Sequence, residues 1–270
     1  MRVHHLNCGT MRPLGTPEGL VCHVLLLELD DRLALVDSGF GLADVADHAR
    51  PLGPARFFFR PAFDEAETAT RQIEALGLDP KDVRDIVVTH FDGDHVGGLA
   101  DFPWANVHIT AAEADAFARP RGQVEKGRYL PALRAHGPAI VQHSPLVGDT
   151  WRGFGAATEL TEVGENVVLL SMPGHTRGHA CVAVGADHGW IFHAGDAVLH
   201  RGSVESDPKV PLAVRGMERT MATDWSKVRL NHARLTELAG GSEPDVTLVN
   251  GHDPELLRRA QASAVAVWGQ

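Results

Sequence analysis

The chain has 270 residues, enough for one large domain or two small ones, and its 44% of hydrophobic residues are typical of a globular protein. A formal net charge of -10 argues against a partner bound mainly through phosphates, because no basic excess can replace counterions. No apolar run approaches the roughly 20 residues of a membrane span, and the first residues lack the charged head and apolar core of a signal peptide.

The three cysteines, Cys8, Cys22 and Cys181, are scattered and show no C-x-x-C spacing. This pattern predicts free thiols without a structural disulfide, and therefore a reduced, cytoplasmic location. We expect a small-molecule substrate and neither a nucleic acid nor a membrane as partner. A homodimer is left open.

The N-terminal part of the chain predicts buried strands over residues 3–8 and 20–29, followed by a returning strand from Arg32 to Asp37. The hairpin ends in the sharp loop Asp37-Ser38-Gly39. Residues 42–50 suit a short helix, residues 50–61 a loop, and residues 64–76 a helix that Gly77 ends.

An apolar run from Ile86 to Val88 predicts a buried strand that stops in acidic and imidazole side chains, namely His90, Asp92, Asp94 and His95. Two residues apart on an extended segment, His90 and Asp92 point to the same side. Gly97-Gly98 follows and allows the backbone to pass close to whatever these side chains hold. Packing alone does not explain this order of features, which indicates the core of a metal site.

Further strands are predicted at residues 106–109, 167–172, 180–184, 189–193 and 245–250, with helices at 110–119 and 220–239. Three of these strands lead into polar groups, which contain His175, Asp196 and His252. Residues 120–150 show weak periodicity and several Pro and Gly breaks, which predicts an insertion or a lid over a cleft.

Strands with continuous apolar runs have to be covered on both faces. We therefore predict an α/β fold, an αββα sandwich of two mixed β-sheets flanked by helices, forming one domain over residues 1–270. In such a fold, functional sites collect on loops at strand ends, which is where every polar group of this chain lies.

The order and spacing of these groups resemble the metallo-β-lactamase superfamily over about residues 20–260. The motif of that family, H-x-H-x-D-H, corresponds to His90-Phe91-Asp92-Gly93-Asp94-His95. Its later segments correspond to Pro173-Gly174-His175, Gly195-Asp196 and Gly251-His252, and Asp37 matches a strand-end Asp of the family.

The resemblance implies a site for two divalent metal ions. His90, Asp92 and His175 would hold one ion, and Asp94, His95 and His252 the other, with Asp196 bridging. A hydroxide shared by the two ions would attack a carbonyl, and the catalytic residue Asp94 would orient it.

Asp92 stands where most members of the family have a second histidine. A carboxylate is a harder ligand than imidazole and shifts the preference towards manganese or iron. Zinc remains the expected metal, with manganese and iron as alternatives.

The layout is most similar to the single-domain lactonase-like branch, which implies hydrolysis of an ester or a lactone. Lactonases of that branch have a tyrosine shortly after the bridging Asp, whereas Ala197, Val198, Leu199 and His200 follow Asp196 here. Either His200 contacts the substrate oxygen instead, or the substrate is not an acyl-homoserine lactone. An iron-dependent oxidoreductase and a thioesterase of the glyoxalase II type are the alternatives within the same superfamily.

Overall fold

The computed structural model describes residues 1–145, 149–205, 207, 209–242 and 245–268. Its strands are β1 (Arg2–Met11), β2 (Leu20–Glu28), β3 (Leu33–Val36), β4 (Val83–Val87), β5 (Asn106–Thr110), β6 (Ala139–His143), β7 (Thr150–Trp151), β8 (Phe154–Gly155), β9 (Ala157–Glu159), β10 (Val167–Ser171), β11 (Ala180–Ala186), β12 (Gly189–His193) and β13 (Val246–Val249). Its helices are α1 (Leu42–Ala46), α2 (Arg56–Phe59), α3 (Ala69–Ala75), α4 (Gly93–Val96), α5 (Ala111–Ala118), α6 (Gly122–Arg128), α7 (Leu212–Met221), α8 (Trp225–Glu237) and α9 (Pro254–Trp268).

Two mixed sheets form the centre of the molecule. The first has the order β1-β2-β3-β4-β5-β6, antiparallel from β1 to β3 and parallel from β3 to β6. The second has the order β13-β12-β11-β10-β9, with only β12 and β13 parallel. The ribbon β7-β8 is separate.

The side chains alternate between a core shared by the sheets and cores under the helices. Leu25 and Val87 of the first sheet pack with Leu169 and Val182 of the second. The outer face of the first sheet packs on α3 and α5, and that of the second packs on α8 through Leu235. The predicted αββα sandwich is confirmed, because each apolar strand is covered on both faces.

The prediction of one helix over residues 220–239 is wrong. The chain forms α7 and α8 instead, with Ala222 and Thr223 between them. Asp224 accepts hydrogen bonds from the amides of Ser226 and Lys227, which starts α8 afresh. The C-terminal helix α9 was not predicted.

The predicted segment 120–150 is not one insertion. Residues 139–143 are β6, which pairs in parallel with β5 and extends the first sheet. The preceding helix α6 ends at Arg128, and Gly127 and Arg128 line the mostly apolar cavity described below. Residues 146–148 of this predicted segment lie outside the described residues.

The three cysteines are buried and unpaired, as expected. Within the described ranges, the helices are all too short or too polar to cross a membrane.

Candidate metal centre

The seven predicted ligand side chains converge at one end of the sandwich, where four strand-end loops and helix α4 meet. Two of them follow β4, two lie on α4, and one each follows β10, β12 and β13. All are at most 9% exposed. They are His90, Asp92, Asp94, His95, His175, Asp196 and His252.

The side chains form two groups. In the first, Asp92 Oδ2 lies 3.4 Å from His90 Nε2 and 3.1 Å from His175 Nε2. In the second, His252 Nε2 lies 3.4 Å from His95 Nε2 and 3.6 Å from Asp94 Oδ2. Within each group the donor atoms lie within 4.8 Å of one another, which suits one metal ion per group.

Asp196 lies between the two groups. Its Oδ2 is 3.4 Å from His175 Nε2 and 3.2 Å from His252 Nε2, and its Oδ1 is 3.2 Å from His95 Nε2. A single carboxylate that reaches both groups suits a bridging ligand.

Hydrogen bonds on the far side of the imidazoles direct Nε2 towards the centre. His95 Nδ1 lies 2.8 Å from Asp37 Oδ2, and His252 Nδ1 lies 2.8 Å from the carbonyl oxygen of Val21. Thr89 donates its hydroxyl proton to Asp37, so its oxygen accepts from His90 Nδ1 at 3.0 Å. Such partners fix the tautomer of metal-binding histidines.

Asp37, which matched the family pattern at the end of β3, adopts a left-handed backbone with φ of 59°. This conformation is uncommon for a residue other than glycine. It lets both carboxylate oxygens serve the site, since Asp37 Oδ1 also accepts from the amide of Thr89 at 2.8 Å.

Gly98 has a different role from the one expected. A Cβ there would lie 2.6 Å from the carbonyl oxygen of Ser38. The glycine therefore allows the 3₁₀ turn after α4 to approach the loop after β3, which carries Asp37, and its nearest neighbours are atoms of Ser38 rather than of the ligand side chains.

Burial and the charges around the centre shift the pKa values of its ligand side chains. Burial lowers the pKa of His252, but the Asp196 carboxylate outweighs burial and raises that pKa to about 9. Burial raises the pKa of Asp196, but His252 and His95 hold it well below its usual range. Burial and the Arg128 charge lower the pKa of His175 to about 4, which leaves its imidazole neutral at pH 7.

Three buried atoms of the centre have no hydrogen-bond partner among the described residues: His90 Nε2, Asp92 Oδ1 and Asp196 Oδ1. Buried polar atoms are nearly always partnered, so unpartnered atoms in the first ligand group and on the carboxylate between the groups indicate a ligand. Neutral imidazole nitrogens and ionised carboxylates are the donors that divalent metal ions take. The residues fit two such ions.

Two buried residues outside the predicted set hold the loops in place. Glu113 accepts from the amides of Phe91 and Gly178, and from the hydroxyls of Thr176 and Tyr129. This carboxylate ties the motif loop to the His175 loop. The sequence gives little indication of this role, because Glu113 lies in the first turn of α5, where acidic residues are common.

His179 positions Asp196. Its Nε2 accepts from the Asp196 amide at 2.9 Å, so its Nδ1 carries the proton and faces the carbonyl oxygen of Met172 at 3.1 Å. His179 thus supports the backbone of Asp196 and is not one of the seven ligand side chains.

Arg128 is the main residue that sequence reasoning missed. Its side chain is 2% exposed, and Nη1 lies 3.0 Å from Asp92 Oδ2 without hydrogen-bond geometry. Nη2 donates to the carbonyl oxygen of Met221 at 2.5 Å, while Nε has no partner among the described residues. The motif position that gained a carboxylate therefore has a buried cation beside it.

The structure does not bring His200 into the cavity over the centre. His200 Nδ1 accepts from the amide of Gly202 at 3.0 Å and caps a short 3₁₀ turn. The side chain lines a smaller adjoining recess, with Pro211 and Asp253. The missing tyrosine is not replaced by His200 in this arrangement. Tyr129 does not replace it either, because it binds Glu113.

A cavity with an empty volume of about 590 Å3, partly open to solvent, leads to the centre. Asp92, Asp94, His175, Asp196 and His252 form its floor. Its walls are mostly apolar and include Met11, Leu20, Leu52, Phe59, Met217 and Met221. An apolar cavity with a few convergent polar groups is the usual form of a small-molecule site.

Comparison with known proteins agrees with this geometry. The sequence model of the metallo-beta-lactamase superfamily matches residues 17–252 of this chain. A probable metallo-hydrolase of Mycobacterium tuberculosis is 50% identical over 264 residues, which are 98% of this chain and 84% of that protein. An N-acyl homoserine lactonase of Bacillus cereus is 27% identical over 234 residues, 85% of this chain and 80% of that protein.

Among solved structures, an N-acyl homoserine lactone hydrolase with the product N-hexanoyl-L-homoserine bound at its catalytic metal centre superposes with a TM-score of 0.65. The superposition covers 96% of this chain and 95% of that chain at 20% identity. A probable metal-dependent hydrolase from Staphylococcus aureus gives a TM-score of 0.69 at 16% identity, over 93% and 88% of the two chains. At these identities the likeness concerns the fold.

Proposed function

Because the chain belongs to the metallo-beta-lactamase superfamily, we propose that it is a dinuclear metal-dependent hydrolase that opens an ester or a lactone. The observation that carries this proposal is the pair of ligand groups joined by Asp196. When bound, two divalent ions supply an activated water and a Lewis acid for the carbonyl. Zinc is the expected metal, with manganese or iron favoured only by Asp92.

The protein residues orient the reactants. Asp94 lies on the cavity floor beside His252, and in this proposal it accepts a hydrogen bond from the attacking water. His90, His95 and His252 direct Nδ1 to oxygen acceptors, so their Nε2 atoms face the ligand groups. Because of its raised pKa, His252 retains its Nε2 proton at pH 7, and this proton would be displaced by a metal ion bound there. The site is thus preorganised for the reaction.

Arg128 takes the place of the missing tyrosine in this proposal. Its Nε and Nη1 are buried donors without hydrogen-bond partners, and Arg128 lines the cavity beside Asp92. A cation with free donors next to the reacting carbonyl stabilises the oxyanion that forms there. We assign to Arg128 the role first expected of His200.

The apolar walls indicate the substrate class. Met217 and Met221 of α7 face the cavity, as do Leu52 and Phe59 from the segment before α3. Methionine side chains adapt to chains of different shape. We propose a substrate with an apolar acyl group, and a single domain in which α6 and the residues around it cover one side of the cavity.

A hydrolysis screen with zinc, manganese and iron reconstituted separately tests the proposal. The substrates are lactones and esters of increasing acyl length, with thioesters, β-lactams and phosphotriesters beside them, and Asp196→Ala as the inactive control. We expect lactone or ester turnover that improves with acyl length. Hydrolysis of thioesters alone would favour the glyoxalase II type, and no turnover of any substrate with two metal equivalents bound would end the proposal.

A further inference from the structure

A second cluster of metal-binding side chains lies outside the centre described above. His108 is in β5, His143 ends β6, and Glu162 is in the loop between β9 and β10. His108 pairs in register with Val87, a residue of the core between the sheets. His108 thus faces the second sheet, and the cluster joins one sheet to the other.

The three donor atoms have the spacing of a zinc site. His108 Nδ1 lies 3.0 Å from His143 Nε2 and 3.9 Å from Glu162 Oε1, and His143 Nε2 lies 3.7 Å from Glu162 Oε1. The point equidistant from these three atoms lies about 2.1 Å from each, and Zn–N and Zn–O bonds are about 2.0–2.2 Å long.

A buried carboxylate orients His108 for this role. Asp85 Oδ1 lies 3.0 Å from His108 Nε2, so the proton is held there and Nδ1 presents its lone pair to the cluster. Asn106 Nδ2 also donates to Asp85 Oδ1, at 3.1 Å, so hydrogen bonds from two side chains hold this carboxylate in place.

Arg32 holds the loop of Glu162 against the first sheet. Its Nε lies 3.5 Å from Asp85 Oδ2, and its Nη2 donates to the carbonyl oxygens of Glu162 and Val163 at 2.8 and 3.2 Å. The same arginine thus positions the carboxylate behind His108 and the loop that supplies the third ligand.

The remaining two ligands are available to an ion. His143 Nε2 faces both other donor atoms of the cluster, His108 Nδ1 and Glu162 Oε1. The Glu162 side chain is half exposed, whereas His108 is 2% and His143 11% exposed. An ion can enter from the Glu162 side and keep water as its fourth ligand.

We propose that His108, His143 and Glu162 bind one zinc ion that links the two sheets, independently of the catalytic centre. Two imidazoles and one carboxylate are donors that zinc accepts, and the water-accessible fourth position admits copper(II) or nickel as competitors. The ion has no part in hydrolysis. It stabilises the folded chain, because the unfolded chain does not hold the three ligands together.

Zinc titration of the full chain, followed by dialysis and elemental analysis, tests the site. We expect Glu162→Gln and His143→Asn each to bind one zinc equivalent fewer than the unchanged chain and to keep its hydrolytic rate. His136→Asn removes a histidine outside the cluster and should bind the full number. Asp85→Asn keeps the three ligands and should weaken binding of this equivalent by about 10- to 100-fold.

The thermal midpoint gives a second readout. Adding zinc should raise the midpoint of the unchanged chain more than that of Glu162→Gln, which replaces a half-exposed side chain with one of nearly the same size. The proposal would be overturned if Glu162→Gln and His143→Asn bound as many zinc equivalents as the unchanged chain and showed the same midpoint shift on adding zinc. The cluster would then be a hydrogen-bonded chain of Asp85, His108 and His143 beside Glu162, without a metal.

Discussion

Arg128→Gln probes the charge that stands beside Asp92. The guanidinium Nη1 lies 3.0 Å from the Asp92 oxygen that also faces His90 and His175. An ion held by that oxygen at about 2.1 Å would lie about 5 Å from the arginine charge. At an effective dielectric constant of about 20, a divalent ion and a unit charge repel by about 7 kcal/mol at this distance.

Solvent in the open cavity and local relaxation reduce this repulsion, so we expect zinc to bind the His90–Asp92–His175 group about 10- to 1000-fold more tightly in Arg128→Gln. Competition against a chromophoric chelator measures the two affinities of the centre separately. The affinity of the Asp94–His95–His252 group should change less, because Arg128 contacts Asp92 and not that group. Hydrolysis should slow down despite tighter metal binding, since the oxyanion loses its donor.

Two further variants control this prediction. Arg71→Gln removes an exposed arginine that pairs with Glu65 and Glu74, so it changes the net charge equally and should leave both affinities unchanged. Asp92→His should lower the zinc affinity of the His90–Asp92–His175 group while Arg128 is present. The double variant with Arg128→Gln should recover part of the lost affinity. Unchanged or weaker zinc binding in Arg128→Gln would refute the electrostatic reasoning.

Three other variants test the centre and its support. Asp196→Ala should abolish hydrolysis and lower the affinity for both metal ions, while the circular dichroism spectrum stays unchanged. Retained turnover would exclude Asp196 as the carboxylate shared by the two ions. Glu113→Gln offers fewer acceptors for four buried donors, so urea unfolding should show a loss of about 2–4 kcal/mol, and an unchanged midpoint would contradict its role. Burial and Asp44 raise the pKa of Asp101 from 3.8 to about 6, so its contribution to stability is present below pH 4 and lost as the pH rises through 6. Asp101→Asn should therefore be more stable than the unchanged chain by up to about 3 kcal/mol at pH 8, and equally stable at pH 4.

The fold class was predictable because it follows from local patterns. Continuous apolar strands require cover on both faces, and the hairpins and helices of this chain leave few ways to provide it. Where local signals compete, the predictions of individual elements were wrong. Residues 220–239 are helical by pattern throughout, but Asp224 caps a new helix after Thr223. The segment 120–150 is broken by Pro and Gly, yet it contains β6, because β5 has a free edge with which this strand pairs.

The candidate ligands were visible in the sequence because each follows a strand, and strand ends on one side of a sandwich meet. The sequence alone also determined the exchange of a histidine for Asp92, and with it an additional negative charge. Only the tertiary structure decided what balances that charge, because Arg128 lies on a separate helix with no motif of its own. The same holds for Glu113, and for His108, His143 and Glu162, which are 35 and 19 positions apart along the chain. Contacts between distant residues depend on how the sheets and loops pack, which no local pattern records.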